Sequence, residues 1–338
     1  GLELTIGLFS HVNRLLLVAT VVGMGVLCWL LPERLLDGPL DADTRRARLL
    51  MALAAPVAAL LFFPLLYAYD LGQLQVWISF LFVAGCIAWV TDRRILAGIL
   101  IGLICLLKPQ FGLFAVWGLL RREWRFTFAI SATGALGLLL SVVLYGFGNH
   151  LAYLEVLSFL SSHGESFWAN QSANGLLQRF FGNGVTAEFE AQGFPPFHPG
   201  VYAGTMLVTL ALLIGVFTLK RRNSKLVSLH DFMLAALAFT IASPIAWEHH
   251  YGVLMPIFAV LATVWVCSAP RPGQWKQGAG IGLAFLFAAV PLWGLATVTG
   301  PLHLAQSHLY YAALGVLFML WRLAADGWTV SRFIRRAD

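Results

Sequence analysis

The sequence predicts an all-α integral membrane protein, on three observations. First, 59% of its 338 residues are hydrophobic and only 11% are charged, with a mean hydropathy of +0.79, far from the balance of a soluble domain. Second, the apolar residues form runs close to the ~20 that a helix needs to cross a hydrocarbon core of ~30 Å. Third, 19 of the 22 Lys and Arg residues fall into six short clusters between those runs. Cationic loops at span ends resist translocation and stay cytoplasmic, so regular clustering is a topology signal.

The elements follow in order, each bounded by a cluster or a turn. Span 8–31 ends at the first cluster, Arg34 with Arg45, Arg46 and Arg48, and span 49–69 departs from it. Asp70-Leu71-Gly72-Gln73 makes the outer turn into span 72–91, which returns to Arg93 and Arg94. Span 126–147 leaves the cluster Arg121, Arg122 and Arg125, and a long polar segment, 148–200, follows it. Span 201–219 returns to Lys220, Arg221, Arg222 and Lys225, and 229–247 and 251–269 run out and back to Arg271 and Lys276. Spans 279–298 and 308–323 close the chain at Arg322, Arg332, Arg335 and Arg336. With every cluster inside, residue 1 lies outside and about nine spans alternate to a cytoplasmic C-terminus. The whole of 1–338 reads as one polytopic domain.

One segment breaks the alternation. Between Arg94 and Arg121 lie two short apolar pieces, 95–107 and 111–120, joined by Lys108-Pro109-Gln110. Thirteen helical residues reach only ~20 Å, and both flanks belong on the cytoplasmic side. The region 95–120 is therefore expected to form a short re-entrant hairpin, ended by Pro109, with Lys108 at its tip toward the outer leaflet.

The net charge of +6 and pI near 9.4 do not indicate a nucleic-acid binder, because the cations are divided among loops and form no stripe. Cys28, Cys86, Cys105 and Cys267 all lie in apolar runs, where thiols act as small hydrophobes, and their spacing suits neither a disulfide framework nor zinc. The external loop mixes Trp168, Phe180, Phe181, Phe194 and Phe197 with Gly, Asn and Pro, which suits short helices on a membrane surface. Eight of the nine histidines, all but His230, fall in or beside external segments. That makes the external face the working side. The chain opens on Gly1, outside and with no preceding span, so an upstream span and loop are expected.

Three cations stand apart from the clusters, Arg14, Lys108 and Arg179, and an isolated cation near a bilayer is expected to have an anionic partner. At the hairpin tip Lys108 is placed either to snorkel, to form a structural ion pair, or to hold a lipid phosphate, with Gln110 beside it. The run Asn170-Gln171-Ser172-Ala173-Asn174-Gly175, followed by Arg179, offers the donors and acceptors that sugar hydroxyls need. A surface-helix cap would use the same residues. The third constellation is Ser243-Pro244-Ile245-Ala246-Trp247-Glu248-His249-His250. There Trp247 could stack on a sugar or anchor the interface, and Glu248, His249 and His250 could hold a phosphate, move protons or simply end a span. Asp70 and Gln73 add an external carboxylate and amide, which turn chemistry alone also explains. No metal site is expected.

Taken together, Gly72-Gln73, Leu107-Lys108-Pro109-Gln110 before Arg121-Arg122-Glu123-Trp124-Arg125, Asn170-Gln171-Ser172 with Asn174-Gly175 and Arg179, and Ser243-Pro244-Ile245 with Trp247-Glu248-His249-His250 resemble glycosyltransferase family 87. Those are polyprenol-phosphate-mannose-dependent mannosyltransferases of the GT-C architecture, and the likeness runs from about residue 8 to the end. The resemblance implies a multi-pass enzyme of the bacterial cytoplasmic membrane whose active site faces the periplasm or exterior. It would move a sugar, with inversion, from a polyprenyl-phosphate donor to a glycolipid or glycan acceptor, using no cofactor. His249, His250, Lys108 and Arg179 would act on the leaving phosphate, and Gln73, Gln110, Asn170, Gln171, Ser172, Asn174, Trp247, Glu248 and Asp70 would contact substrate. The family's catalytic aspartate sits in a first external loop. Neither Glu3 nor Asp70 occupies that motif, so the base is expected upstream of Gly1. A non-catalytic subunit of a membrane assembly is the rival reading, and a lipid or sugar transporter the other.

Overall fold

The computed structural model of the chain describes residues 2–35, 39–189, 193–220, 224–268, 272–298 and 300–325. Among them are fourteen α-helices and four 3-10 turns, with one isolated β-bridge and no strand. Arg221, Arg222, Arg271, Arg332, Arg335 and Arg336 of the basic clusters lie outside the described residues.

Helix α1 (Leu2–Leu35) covers the first predicted span and packs along α2 (Ala42–Ala59). Helix α3 (Phe63–Asp70) continues α2 after a bend of 45°, so 49–69 is a broken span. Pro56 and Pro64 flank the break, each lacking the amide hydrogen that a continuous helix would use. Helix α4 (Gln75–Val90) returns to the basic end, and α5 (Arg94–Leu107), a 3-10 turn at Pro109–Gly112 and α6 (Leu113–Leu120) follow. Helix α7 (Trp124–Tyr145) is long enough to span, and α8 (Phe147–His163) and α9 (Ala173–Phe181) lie in the long polar segment. Helices α10 (Pro199–Phe217), α11 (Lys225–Ile241), α12 (Leu254–Cys267), α13 (Gln274–Ala289) and α14 (His308–Ala325) complete the bundle.

Every predicted span has a helix, but several bounds differ for a local reason. Helix α11 stops at Ile241 and not at 247 because Ser243 precedes Pro244, and the residue before a proline is pushed out of the helical region. The same effect ends α13 at Ala289, where Val290 before Pro291 is extended at φ −95°, ψ 125°. By length and apolarity five helices can cross a bilayer among the described residues, or six with the bent α2–α3 pair. Shorter apolar helices, α4, α5 and the 109–120 piece, fill the space between them.

Two packing devices hold the bundle. Gly98 and Gly102, one turn apart on α5, let that helix settle on α7, since a Cβ on Gly98 would lie 2.6 Å from the Phe126 carbonyl oxygen. Close approach through small residues is the usual source of helix attraction in lipid, where no hydrophobic drive separates helix from solvent. Between α4, α6, α7 and α11, the rings of Trp89, Phe114, Trp117, Phe126 and Phe232 form a buried aromatic cluster, with Trp89 and Phe232 stacked at 4.6 Å. Leucines, valines and phenylalanines cover the outer faces of α1, α7 and α10, as lipid contact requires.

The two ends of the bundle differ in how their charges are met. At the basic end Arg94 pairs with Asp92 and Glu123, Lys225 pairs with Asp92, and Arg94 also lies 3.8 Å over the Trp89 ring. Deeper in, Arg121 Nε donates to Asp231 at 2.5 Å while Nη2 donates to the Val216 carbonyl at 2.7 Å and to Asp231 at 3.2 Å, and Trp117 Nε1 donates to the same carboxylate. The opposite end carries the candidate site.

Candidate active site

The site is framed by residues 164–181 and the break between α11 and α12. Ser172 caps α9, its Oγ accepting from the Gly175 amide at 3.1 Å and donating to the Pro244 carbonyl at 2.9 Å. Asn170 spans the gap as well: its Nδ2 donates to the carbonyls of Glu165 and Pro244, and its Oδ1 accepts from the Ala246 amide at 3.0 Å. Backbone bonds between 169–171 and 246–248 complete a short antiparallel contact around the Asn170–Trp247 bridge.

Gln171 ties this frame to the last helix. Its Nε2 donates to the Trp168 and Gln306 carbonyls at 2.9 and 2.7 Å, and its Oε1 accepts the Leu309 and Tyr310 amides at 3.1 and 3.3 Å. Two of the four open amides at the start of α14 are thereby met. The Tyr251 hydroxyl donates to the Gln171 carbonyl. Arg179 Nη2 donates to Asn170 O at 2.8 Å and to Ser307 Oγ at 2.7 Å, and Nε donates to the same Ser307 hydroxyl at 3.2 Å. Burial pulls the Arg179 guanidinium down to about 10, so it stays charged at neutral pH. Asn174 Oδ1 accepts from the Glu165 amide, and Glu165, whose carboxyl burial shifts upward, accepts from the Phe167 amide.

In the folded chain these residues make the contacts of a helix cap and its supports. Asn170, Gln171, Ser172, Asn174 and Arg179 are all buried, and their polar atoms bond the protein itself. The physical reason is that a non-helical stretch packed at a span end must satisfy its own backbone groups.

What they hold is the turn Glu248–Val253 with Trp247 before it. Glu248 is 1% exposed, and neither carboxylate oxygen has a hydrogen-bond partner. His249 Nδ1 and Trp247 Nε1 are likewise buried without partners. Such groups cost roughly 1–3 kcal/mol each when left unmet, more when charged, so a bound donor or acceptor is what they fit. The Trp247 amide donates to His250 Nδ1 at 3.2 Å, which leaves Nε2 as the proton-bearing nitrogen of the neutral ring. The His249 ring lies 4.5 Å from that of His250 and 6.0 Å from Tyr67. Helix α4 presses against the turn, with Gln75 Nε2 donating to the His250 carbonyl at 3.4 Å. Gly252 allows that approach, since a Cβ there would collide with Ser79 Oγ.

Lys108, between α5 and the 3-10 turn at Pro109–Gly112, is close enough to act electrostatically on both His249 and His250. The expected anionic partners of the three isolated cations are absent among the described residues: Arg14 meets the Tyr69 hydroxyl at 3.4 Å, Arg179 meets carbonyls and Ser307, and Lys108 has no ion pair. Neutral acceptors suffice for the first two. Asp70 and Gln73 are exposed at the turn between α3 and α4, and Gln110 is half-buried. Nothing joins their side chains to the His249–His250 pair. Sequence reasoning missed Tyr67, Gln75 and Tyr251, the first two placed by α3 and α4 against the turn. It also missed Gln306 and Ser307, which stand next to His308 in an otherwise apolar stretch and give no local signal of their distant partners.

The fold and site define a helical membrane protein with a polar, incompletely satisfied turn at the end opposite its basic clusters. The chain belongs to glycosyltransferase family 87, whose family model it matches over residues 7–244. It is 27% identical over 285 residues to a polyprenol-phosphate-mannose-dependent alpha-(1-2)-phosphatidylinositol mannoside mannosyltransferase of Mycolicibacterium smegmatis, covering 84% of this chain and 58% of that protein. It is also 27% identical over 313 residues to a polyprenol-phosphate-mannose-dependent alpha-(1-2)-phosphatidylinositol pentamannoside mannosyltransferase of Mycobacterium tuberculosis, covering 90% and 65%. The chain thus spans about three fifths of the length of these curated relatives. No solved structure matches it significantly.

Proposed function

We propose that the protein carrying this chain transfers mannose from a polyprenyl-phosphate donor to a hydroxyl of a glycolipid, at the wall formed by Lys108, Glu248, His249 and His250. The observation that carries this reading is an ammonium with no ion pair among the described residues, acting on two imidazoles of a turn whose Glu248 carboxylate is buried without a partner, in a family of glycosyltransferases. In the reaction the acceptor oxygen bonds to the anomeric carbon as the bond from that carbon to the phosphate oxygen breaks. The electron pair leaves with the lipid phosphate, whose growing charge Lys108 Nζ and the His250 Nε2–H would meet. Glu248 would accept hydrogen bonds from sugar hydroxyls, and the acceptor proton passes to a carboxylate base. Inversion follows from a single displacement.

The basic clusters support a site on the outer face of a bacterial cytoplasmic membrane, where both lipid substrates present their head groups. The mycobacterial relatives, named for phosphatidylinositol mannosides, support a glycolipid as the acceptor. Lys108→Met tests the assignment. Membranes containing the variant should hold normal amounts of protein and lose transfer of labelled mannose from polyprenyl-phosphate mannose. Wild-type turnover by Lys108→Met would remove the ammonium from the site.

A further inference from the structure

A groove of about 460 Å³ runs between α12, α13 and α14, on the flank of the bundle and away from the candidate active site. Leu261, Ile281 and Phe318 line its deep part, while Trp265, Lys276 and Arg322 stand where the three helices reach the basic end. The chain direction fixes this placement: α12 and α14 end there and α13 begins there. Among the described residues the groove is lined by Lys276 and Arg322 and by no carboxylate. The first turn of α13 has no side-chain cap and adds the positive end of a helix to the same mouth.

An apolar slot with paired cations and an interfacial tryptophan at one end matches the make-up of one ligand class. We propose that the groove holds an anionic glycerophospholipid of the leaflet at the basic end, an acyl chain between α13 and α14 and the phosphate at Lys276 and Arg322. Each juxtamembrane cation attracts such a head group, and the apolar wall selects a lipid over a soluble phosphate. The donor lipid does not compete for this place, because its phosphate is drawn to Lys108 at the far end.

Gly315 supplies the test. It lines the groove at mid-height of α14, and a Cβ built on it meets no atom within 4 Å, so Gly315→Phe would project a ring into the slot from an open position. Lys276→Glu, at an exposed position, reverses the charge at the mouth and carries little risk to folding. Native mass spectrometry of the purified protein would count bound phosphatidylglycerol, phosphatidylcholine and polyprenyl monophosphate. The wild type should retain one phosphatidylglycerol with about tenfold preference over phosphatidylcholine, Gly315→Phe should lose it, and Lys276→Glu should erase the preference. Equal retention of the two phospholipids, retention unchanged in both variants, or a preference for polyprenyl monophosphate that Gly315→Phe removes would each overturn the proposal. Mannosyl transfer enters none of these readouts, so failure here leaves the proposed function untouched.

Discussion

Replacing Gln171 with leucine separates a framing role from a sugar-binding one. The substitution keeps the volume and removes four hydrogen bonds, two donated to the Trp168 and Gln306 carbonyls and two accepted from the Leu309 and Tyr310 amides. The Trp168 carbonyl retains a long contact with Arg179 Nη1 at 3.5 Å, so its loss counts little. The Gln306 carbonyl, in a residue with no exposure, is left with the His308 ring alone, and the Leu309 and Tyr310 amides lose their cap, which together costs about 2–4 kcal/mol. Gln171→Leu should therefore destabilise the protein by about 2–4 kcal/mol and lower its melting temperature by about 3–6 °C. Thermal unfolding in detergent can be followed with a thiol-reactive dye, because Cys28, Cys86 and Cys267 are buried until the bundle opens. A variant that melts like the wild type but binds donor poorly would show that the amide faces sugar, and the framing argument would fail.

The remaining predictions concern the site, the basic end and the orientation. His249→Ala and His250→Ala should each slow mannosyl transfer about tenfold or more, roughly 1.4 kcal/mol in barrier, with the protein still folded; wild-type rates for both at limiting and saturating donor would exclude the pair from phosphate contact. Arg121→Met should cost about 3–5 kcal/mol by leaving Asp231 buried and uncompensated, and Arg121→Met with Asp231→Leu should recover much of it; equal melting of single and double variants would refute this. An impermeant thiol reagent on intact cells should label a cysteine at exposed position 187 and spare one at exposed position 220. The reverse pattern would invert the topology.

The helices were largely legible because lipid imposes a simple pattern. Apolar runs between cationic loops mark the bundle from α1 to α14, and Pro109, between α5 and the 3-10 turn, stands where the chain shows its break. The differences lie at helix ends. The α11 span was carried six residues too far because Pro244 was read as part of a motif and not as a stop, and the bend between α2 and α3 depends on how two proline-bearing segments pack. The site was legible as a set of residue types and not as a set of roles. Asn170, Gln171 and Arg179 look like ligand contacts in sequence because polar side chains in an apolar chain attract notice. Their distant partners, Pro244, Ser307 and Leu309, are 74, 128 and 138 residues away, and no local spacing reveals them.

Paired and unpaired groups together locate the chemistry better than polarity does. At the basic end Arg94, Arg121 and Lys225 have carboxylate partners, so charge there is spent on architecture. His230, in that half, is buried with neither ring nitrogen hydrogen-bonded, and nothing in the structure explains it. At the other end the frame from Asn170 to Ser307 is densely bonded, with Oε1 of Gln306 left unmet, and the turn it secures leaves both oxygens of Glu248, Nδ1 of His249 and Nε1 of Trp247 without partners. Rigid surroundings are what make such groups persist, because a mobile segment would turn them to water or to one another. A sugar phosphate brings hydroxyl donors for the carboxylate, oxygens for Lys108 and the imidazoles, and a flat apolar face for the tryptophan. One ligand class thus meets the needs that the folded chain itself leaves open.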